Sequence, residues 1–132
     1  MYLVQVHNKR PYKIDKAMKK SIIKEKSYLF ALRVIVLARW LRGQREYEMG
    51  GQVLRAGTSI GANVEEALAG VSRRDFVVKM AVASKEARET NYWLRLLRDS
   101  KTVPTARISP LLGESLELVR ILTAIVKTGQ RS

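Results

Sequence analysis

The sequence predicts an all-α protein built as an up-down-up-down bundle of four antiparallel helices. Apolar residues recur at three- and four-residue intervals along most of the chain, which is the spacing of an amphipathic helix. Strand signals are missing, because no stretch alternates between apolar and polar residues for long and no Asn-Gly or Asp-Gly turn is present. The prolines Pro11, Pro104 and Pro110 lie outside the long periodic segments, which leaves those segments free to form helices.

The first two helices are expected over residues 21–42 and 46–68. Gly43 follows the first helix as a C-terminal glycine, and Gly70 closes the second. The second helix is rich in small residues, and each interior glycine lowers helix propensity by about 1 kcal/mol relative to alanine. Close approach of a neighbouring helix is the expected compensation. A phosphate-binding loop at residues 57–61 is the alternative, but no Gly-Lys-Ser/Thr sequence follows it and no strand precedes it.

The last two helices are expected over residues 72–98 and 109–127. Ser72 is the predicted N-cap of the third helix, and Asp75 stands at its third position in a pairing similar to a capping box. Pro110 is expected at the first position of the fourth helix, where a missing N–H costs nothing. Connections between successive helices are short, so neighbouring helices are expected to be antiparallel.

Three of the four helices carry more apolar surface than a monomeric bundle needs. The first is apolar nearly all round over residues 28–37, and the fourth carries two apolar stripes: Leu111, Ser115, Leu118, Leu122 and Ile125 beside Leu112, Leu116, Val119 and Val126. The third has an ordinary core stripe consisting of Phe76, Met80, Ala83, Ala87, Thr90, Leu94 and Leu97. A second stripe on the third helix keeps the same spacing: Lys79, Val82, Glu86, Glu89, Trp93 and Leu96. The spare surface predicts a homo-oligomer with this second stripe as a subunit interface, and a thicker core that absorbs both stripes is the alternative.

The residues that carry most enzyme chemistry are scarce. Cysteine is absent and His7 is the single histidine, which excludes disulfides, thiolate metal sites, cysteine nucleophiles and mechanisms that need two imidazoles. Glu86 and Glu89 share one helix face and are the remaining candidates for acid–base chemistry or metal binding. The competing interpretation is that they pair with Lys79, Lys85, Arg88 or an arginine of a neighbouring subunit. We therefore expect no enzyme activity, no cofactor and no metal site.

The charge balance is the strongest indication of a partner. Lys and Arg number 25 against 12 Asp and Glu, a formal net charge of +13, which predicts a polyanion such as RNA or DNA. Residues 1–20 are expected to form a basic arm outside the bundle domain at 21–132, either as a separate segment or as a helical extension with one basic face. The candidate nucleic-acid-binding residues are Lys9, Arg10, Lys13, Lys16, Lys19, Lys20, Arg39, Arg42, Arg45, Arg73 and Arg74. They are expected to form two basic zones, at opposite ends of the bundle.

No signal peptide and no membrane association are expected. The N-terminal apolar run is too short for a signal core, and its charges follow the run rather than precede it. The most apolar stretch, residues 28–40, is interrupted by Arg33 and Arg39 and is shorter than the roughly 20 residues of a bilayer span. A cytoplasmic protein is the expectation.

Three segments resemble a known family: Arg55-Ala-Gly-Thr-Ser-Ile-Gly-Ala-Asn-Val-Glu-Glu-Ala67, Ser72-Arg-Arg-Asp-Phe76 and Ser84-Lys-Glu-Ala-Arg-Glu-Thr-Asn-Tyr-Trp-Leu-Arg-Leu-Leu97. They closely resemble the bacterial four-helix-bundle proteins encoded in 23S rRNA intervening sequences, over about residues 25–127. The resemblance implies a cytoplasmic homopentamer. The family includes, or is close to, the accessory variability proteins of diversity-generating retroelements, which are basic pentamers that bind nucleic acid and a reverse transcriptase.

The resemblance also places polar residues at the family's motif positions: Ser59, Asn63, Glu66, Lys85, Glu86 and Glu89. They are expected to form a buried hydrogen-bonded network that fixes the helix register. The family brings no catalytic residues, and the arm is not part of its pattern. The leading hypothesis is a non-enzymatic, oligomeric protein that binds nucleic acid through phosphates, as an accessory subunit of a retroelement reverse transcriptase or alone on structured RNA. The alternatives are a scaffold for an acidic protein and an enzyme that uses Glu86 and Glu89.

Overall fold

Four long helices account for nearly all of the chain that the structure describes. The computed structural model describes residues 3–5, 11–13 and 16–131. Its helices and strands, in chain order, are β1 Leu3–Gln5, β2 Pro11–Lys13, α1 Lys16–Gly43, α2 Tyr47–Leu68, α3 Arg73–Asp99 and α4 Thr105–Arg131. The all-α bundle class is confirmed by the four packed helices.

A short two-stranded sheet corrects the expectation that the chain lacks strands. β1 and β2 pair antiparallel, with Val4 opposite Tyr12 at the centre of the register. Each strand has three residues, which is too few for the alternating pattern that identifies a strand in a sequence. Valine and tyrosine nevertheless favour extended backbone.

Helix α1 begins at Lys16, before the predicted start at residue 21. Lys16, Lys19 and Lys20 therefore lie in the first helix, in agreement with a helical extension at this end of the arm. Helix α4 also begins early, because the N–H groups of Arg107 and Ile108 bond to the carbonyl of Pro104. Pro110 consequently lies inside α4 and not at its first position, which corrects the sequence prediction.

The predicted N-cap of α3 is confirmed, whereas the predicted C-terminal glycine of α1 is wrong. The Ser72 hydroxyl accepts a hydrogen bond from the Asp75 N–H at 3.0 Å, as predicted for an N-cap. At the end of α1, Gly43 is still helical, and Arg45 takes the left-handed conformation with a φ of 64°. The predicted C-terminal glycine is therefore not the residue that reverses the chain.

The helices form a square in chain order. Within the described residues the backbone of each helix packs against the next, α1 also packs against α4, and no close backbone approach crosses either diagonal. Along the α1–α2 edge, Leu41 lies against Gly50 and Ser27 against Gly61, so the residue numbers of the two helices run in opposite directions. The same holds along the α2–α3 edge, where Glu66 pairs with Lys79 and Arg55 with Glu89.

The core is built from the stripes that the sequence predicts. Every member of the first α3 stripe is buried except Phe76, which is half-buried and packs on the core. All members of the first α4 stripe are buried as well. Two buried polar side chains of the core are hydrogen-bonded: Asn91 Nδ2 donates to Ser115 Oγ at 3.0 Å, and Ser115 Oγ donates to the Leu112 carbonyl at 2.8 Å.

The small residues of α2 allow α1 to approach closely, as predicted. A Cβ added at Gly57 would lie 2.7 Å from both γ-methyl groups of Val34, a distance that real atoms do not tolerate. Valine is branched at Cβ, so it cannot swing these methyl groups aside. Gly51, on the same helix, has nothing within 4 Å of the corresponding position. Packing against α1, rather than phosphate binding, therefore accounts for Gly57.

We expect Gly57→Ala to lower the free energy of unfolding by about 1–3 kcal/mol, because overpacking at Val34 outweighs the gain in helix propensity. The matched control Gly51→Ala should raise it by about 0.5–1 kcal/mol, since only the propensity changes. Urea unfolding followed by circular dichroism measures both. Adding Val34→Ala to Gly57→Ala should recover part of the loss. Equal effects of the two glycine substitutions would contradict this packing account.

Candidate nucleic-acid interface

The predicted cationic residues divide between the two ends of the bundle. Lys9 and Arg10 lie outside the described residues, Lys13 ends β2, and Lys16 begins α1. We call the end that holds the start of α1, the α2–α3 turn and the end of α4 the Ser72 end, and it contains Lys19, Lys20, Arg73 and Arg74. The opposite end, with the α1–α2 and α3–α4 turns, is the Arg45 end, and it contains Arg39, Arg42 and Arg45.

The Ser72 end contains a cavity that gathers three of the predicted residues. Its volume is about 370 Å³, and Lys19, Lys20 and Arg73 line it together with the side chain of Phe76. Lys20 Nζ lies 4.8 Å from the centroid of the Phe76 ring, in a cation–π contact. The cavity therefore combines positive charge with an aromatic face, a combination that suits a nucleotide phosphate and its base.

Two ion pairs flank this cavity and reduce the charge around it. Lys79 Nζ lies 3.3 Å from Glu66 Oε2, and Lys24 Nζ lies 3.9 Å from Glu65 Oε1. All four side chains are about half exposed, so each pair contributes little to stability. The flanking lysines are thus partly neutralised by the acidic end of α2, whereas the ion pairs of the described residues involve neither Lys19 nor Lys20.

The Arg45 end holds two cations that the sequence analysis did not select. Lys101, in the α3–α4 turn, and Arg107, in the first turns of α4, are both exposed. The guanidinium carbon of Arg107 lies 4.9 Å from the Trp40 ring centroid, which joins the start of α4 to the end of α1. The signal that identifies them is topological, because an up-down bundle brings the first and third turns to one end.

Arg98 at the same end has an acidic partner. Its Nε donates to Asp99 Oδ1 at 2.7 Å, and this hydrogen bond lowers the pKa of the Asp99 carboxyl. Both groups are exposed to solvent, so the pair stays ionised at neutral pH and takes up the charge of Arg98. The remaining cations of this end are not neutralised in this way.

The charged residues of the second α3 stripe pair with residues of α2. Arg55 of α2 forms ion pairs with both Glu86 and Glu89. Its Nη1 atom lies 3.5 Å from Glu86 Oε2. The Glu86 side chain is only 22% exposed, and its Oε2 accepts no hydrogen bond. Trp93 Nε1 donates to Glu89 Oε2 at 3.3 Å. Arg55 was not among the partners that the sequence analysis considered for the two glutamates, because the register between helices is not visible in the spacing along one of them.

The expected polar network is only partly present. Ser59 Oγ donates to the Arg55 carbonyl at 2.7 Å and Asn63 Nδ2 to the Ser59 carbonyl at 2.9 Å, so both bond within their own helix. Short side chains reach the carbonyl four residues earlier more easily than a neighbouring helix. Lys85 is exposed. Of the expected set, Glu66, Glu86 and Glu89 are the members that join α2 to α3, through Lys79 and Arg55.

The predicted subunit interface keeps some exposed surface. Leu96 is 39% exposed and Val82 is half-buried. The charged members have partners within the chain, as described above, so their pairing does not require a second subunit. Contact of this stripe with another copy of the chain stays a prediction.

Two features of the described part of the chain bear on other kinds of site. No group of three or more His, Asp or Glu residues there is arranged to hold a metal ion. None of the helices described has a stretch that is both long and apolar enough to cross a bilayer.

Comparison with known proteins identifies a family and similar solved structures. The family model described as "23S rRNA-intervening sequence protein" matches residues 19–124. A crystal structure from Bacteroides thetaiotaomicron, of a protein with unknown function from the S23 ribosomal protein family, is 41% identical. It superposes with a TM-score of 0.80, and the match covers 83% of this chain and 99% of the other. No curated protein matches this chain.

We expect Arg55→Leu to lower the free energy of unfolding by about 0.5–1.5 kcal/mol, because it leaves two neighbouring carboxylates, one of them mostly buried, without a cation. Thermal unfolding measures the loss. Adding Glu86→Gln and Glu89→Gln should restore part of it, since the uncompensated charges are then gone. A triple variant no more stable than Arg55→Leu would contradict this electrostatic explanation.

Proposed function

Because this chain belongs to the family of 23S rRNA-intervening sequence proteins, we propose that it is a non-enzymatic protein that binds nucleic acid. RNA or an RNA/DNA hybrid is the proposed ligand, and phosphate groups are the proposed points of contact. Such binding fixes a protein on its ligand but carries little sequence information.

The observation that carries this proposal is the placement of the positive charge. The chain has a formal charge of +13. Along the sides of the bundle several cations are taken up by acids of a neighbouring helix, for example Lys26 by Glu117 at 2.8 Å and Arg33 by Glu114. At the ends, cations such as Lys20, Arg42 and Arg45 are exposed and belong to none of the ion pairs of the described residues. Clustered, unneutralised cations attract a phosphate chain and release its counterions on contact.

The proposal includes self-association of an antiparallel up-down-up-down bundle. The opposed residue numbers along the helix edges support that topology. Large apolar side chains are exposed on two separate faces, Tyr28, Leu29, Leu32 and Val36 on α1 and Val78, Tyr92 and Leu96 on α3. We call these the α1 face and the α3 face. Because the backbones of α1 and α3 do not approach each other within the described residues, the two faces lie on opposite corners of the bundle.

Two different faces favour a ring over a simple dimer. A two-fold dimer uses one self-complementary patch, whereas head-to-tail contacts between unlike patches generate a closed ring when the rotation allows it. A homopentamer is the ring that the family resemblance implies. The same resemblance suggests a reverse transcriptase as protein partner and the cytoplasm as location, and both are part of this proposal.

The exposed α1 face also favours a second candidate function, a scaffold that binds an acidic protein. Tyr28, Leu32 and Val36 are each at least 46% exposed, and an apolar face beside cations suits an acidic, amphipathic partner. Pull-downs before and after nuclease treatment separate the two functions. Partners that survive nuclease favour the scaffold, and partners that disappear favour nucleic acid.

We expect the affinity for a single-stranded oligouridylate to fall linearly with salt on a double-logarithmic plot, with a slope of about −0.7 per phosphate contact. Filter binding over a salt series measures the slope. Changing Lys13, Lys16, Lys19 and Lys20 together to Gln should make it shallower. The charge-matched control, Lys85, Arg88, Arg120 and Lys127 to Gln, should change it less. An affinity that is independent of salt would remove the phosphate mechanism.

We expect the wild-type chain to have a solution mass several times its monomer mass of 15.0 kDa, measured by light scattering after gel filtration. Leu32→Glu on the α1 face and Leu96→Glu on the α3 face should each give smaller species, because a charge is buried in the contact. Each variant keeps one intact face, so mixing the two should produce a heterodimer.

Val71→Glu is the control for this experiment, since Val71 is 96% exposed in the α2–α3 turn and away from both faces. It should leave the mass unchanged. A monomeric wild type contradicts the assembly, and a mixture that stays monomeric contradicts contacts between unlike faces.

A further inference from the structure

Helices α1 and α3 end in the same kind of turn, and a cation occupies the same position in each. The Glu46 N–H bonds to the Leu41 carbonyl at 2.8 Å, and the Arg45 N–H bonds to the Arg42 carbonyl at 2.9 Å. In the other turn the Thr102 N–H bonds to the Leu97 carbonyl and the Lys101 N–H to the Arg98 carbonyl. This pair of bonds defines the Schellman motif, in which the residue after the helix adopts a left-handed conformation.

Arg45 and Lys101 are the two residues in that left-handed position, with φ values of 64° and 59°. They are the two non-glycine residues with positive φ among the described residues. Glycine normally fills this position, because a β-carbon there crowds the following carbonyl. Neither turn has glycine or asparagine at the left-handed position, although these two residues tolerate the conformation best.

The attraction between a cation and a helix C-terminus does not require this arrangement. A positive charge is favourable anywhere in or near the last turn of a helix. In the second turn, Ser100 is just before Lys101 and has an ordinary right-handed backbone, with a φ of −77°. A lysine there would gain the same attraction without strain. The cation therefore occupies the costly position for another reason.

Both turns lie at the Arg45 end and share it with other free cations. Arg39, Arg42 and Arg107 are exposed there, and none of these three, nor Arg45 or Lys101, belongs to an ion pair of the described residues. The acids of this end are fewer: Glu46, Glu48 and Asp99, of which Asp99 is bound by Arg98. The contact between Arg107 and Trp40 holds one of the five cations in place.

We propose that the Arg45 end is a phosphate-binding surface for nucleic acid, and that Arg45 and Lys101 occupy strained turn positions because those positions project a cation beyond the helix ends. This inference rests on the proposed function. It adds Lys101 and Arg107 to the residues expected to contact the ligand. It also predicts that Arg45 and Lys101 contribute to ligand binding while they reduce the stability of their turns.

The test replaces both residues with glycine, Arg45→Gly and Lys101→Gly. This double variant should melt a few degrees higher than the wild type, because glycine removes the strain. Its affinity for an oligouridylate of about 20 nucleotides, longer than a typical single-strand site of about 4–16 nucleotides, should fall. The slope of affinity against salt should become shallower by about 1.4, or about 0.7 for each lost contact.

Two control variants separate charge from backbone strain. Arg45→Lys with Lys101→Arg keeps the charges and should keep the wild-type slope. Lys85→Gln with Arg120→Gln removes the same net charge from the sides of the bundle and should change the slope less than the glycine variant does. Both controls should melt close to the wild type, since the first keeps a non-glycine residue at each left-handed position and the second leaves these positions unchanged.

Two results would overturn the inference while leaving nucleic-acid binding intact. One is a glycine variant that binds with the wild-type slope. The other is a glycine variant that melts lower than the wild type, because the cations would then serve the helix ends and not a ligand. A wild-type chain that does not bind the oligonucleotide in dilute buffer contradicts the proposed function itself, and with it this surface.

Discussion

The close packing of α2 on α1 is the constraint from which the rest of the surface follows. Because Gly57 has no side chain, Val34 can lie directly against the backbone of α2, and Gly50 and Gly61 extend this contact along the helix. One side of α1 is enough to fill the core under these conditions, with Phe30, Val34 and Leu37 fully or almost fully buried. The other apolar residues of α1 have no place inside. They form the exposed α1 face. Close packing of α2 on one side of α1 therefore leaves apolar surface exposed on the other side of α1.

The same architecture sorts the charges. Acidic residues number 12, so they can neutralise fewer than half of the 25 basic ones, and the position of the acids decides which cations remain free. Glu86, Glu89, Glu114 and Glu117 lie on helix sides, where an arginine or lysine of the adjacent helix reaches them. At the turns, where helix ends meet, several lysines and arginines have no such acidic partner on an adjacent helix. Much of the uncompensated charge therefore lies at the two ends of the bundle, where a long polyanion can approach several helices at once. Lys85, Arg88 and Arg120, on the helix sides, are also outside the ion pairs of the described residues.

The sequence predicts what depends on local spacing and fails where the third dimension decides. The buried stripes of α3 and α4 and the Ser72 cap follow from helical periodicity and from the chemistry of one hydroxyl, and all are present. The end of α1 does not follow, because Gly43 has the residue type of a helix terminator while hydrogen bonds to the Leu41 and Arg42 carbonyls place the reversal at Arg45. Arg55 was missed for a related reason. Its distance to Glu86 depends on the axial register between α2 and α3, which the sequence of neither helix determines alone.

The proposed assembly and the proposed binding surfaces are compatible because they use different parts of the bundle. The α1 and α3 faces lie on its flanks, whereas the cations of the proposed binding surfaces lie at its ends. Contacts between flanks leave the ends of every copy open and bring them side by side at the rims of a ring. Linked sites act at high effective concentration, so weak phosphate contacts of single subunits add up to tight binding by the ring. In this proposal, self-association raises the affinity for nucleic acid, since no single end needs to bind strongly.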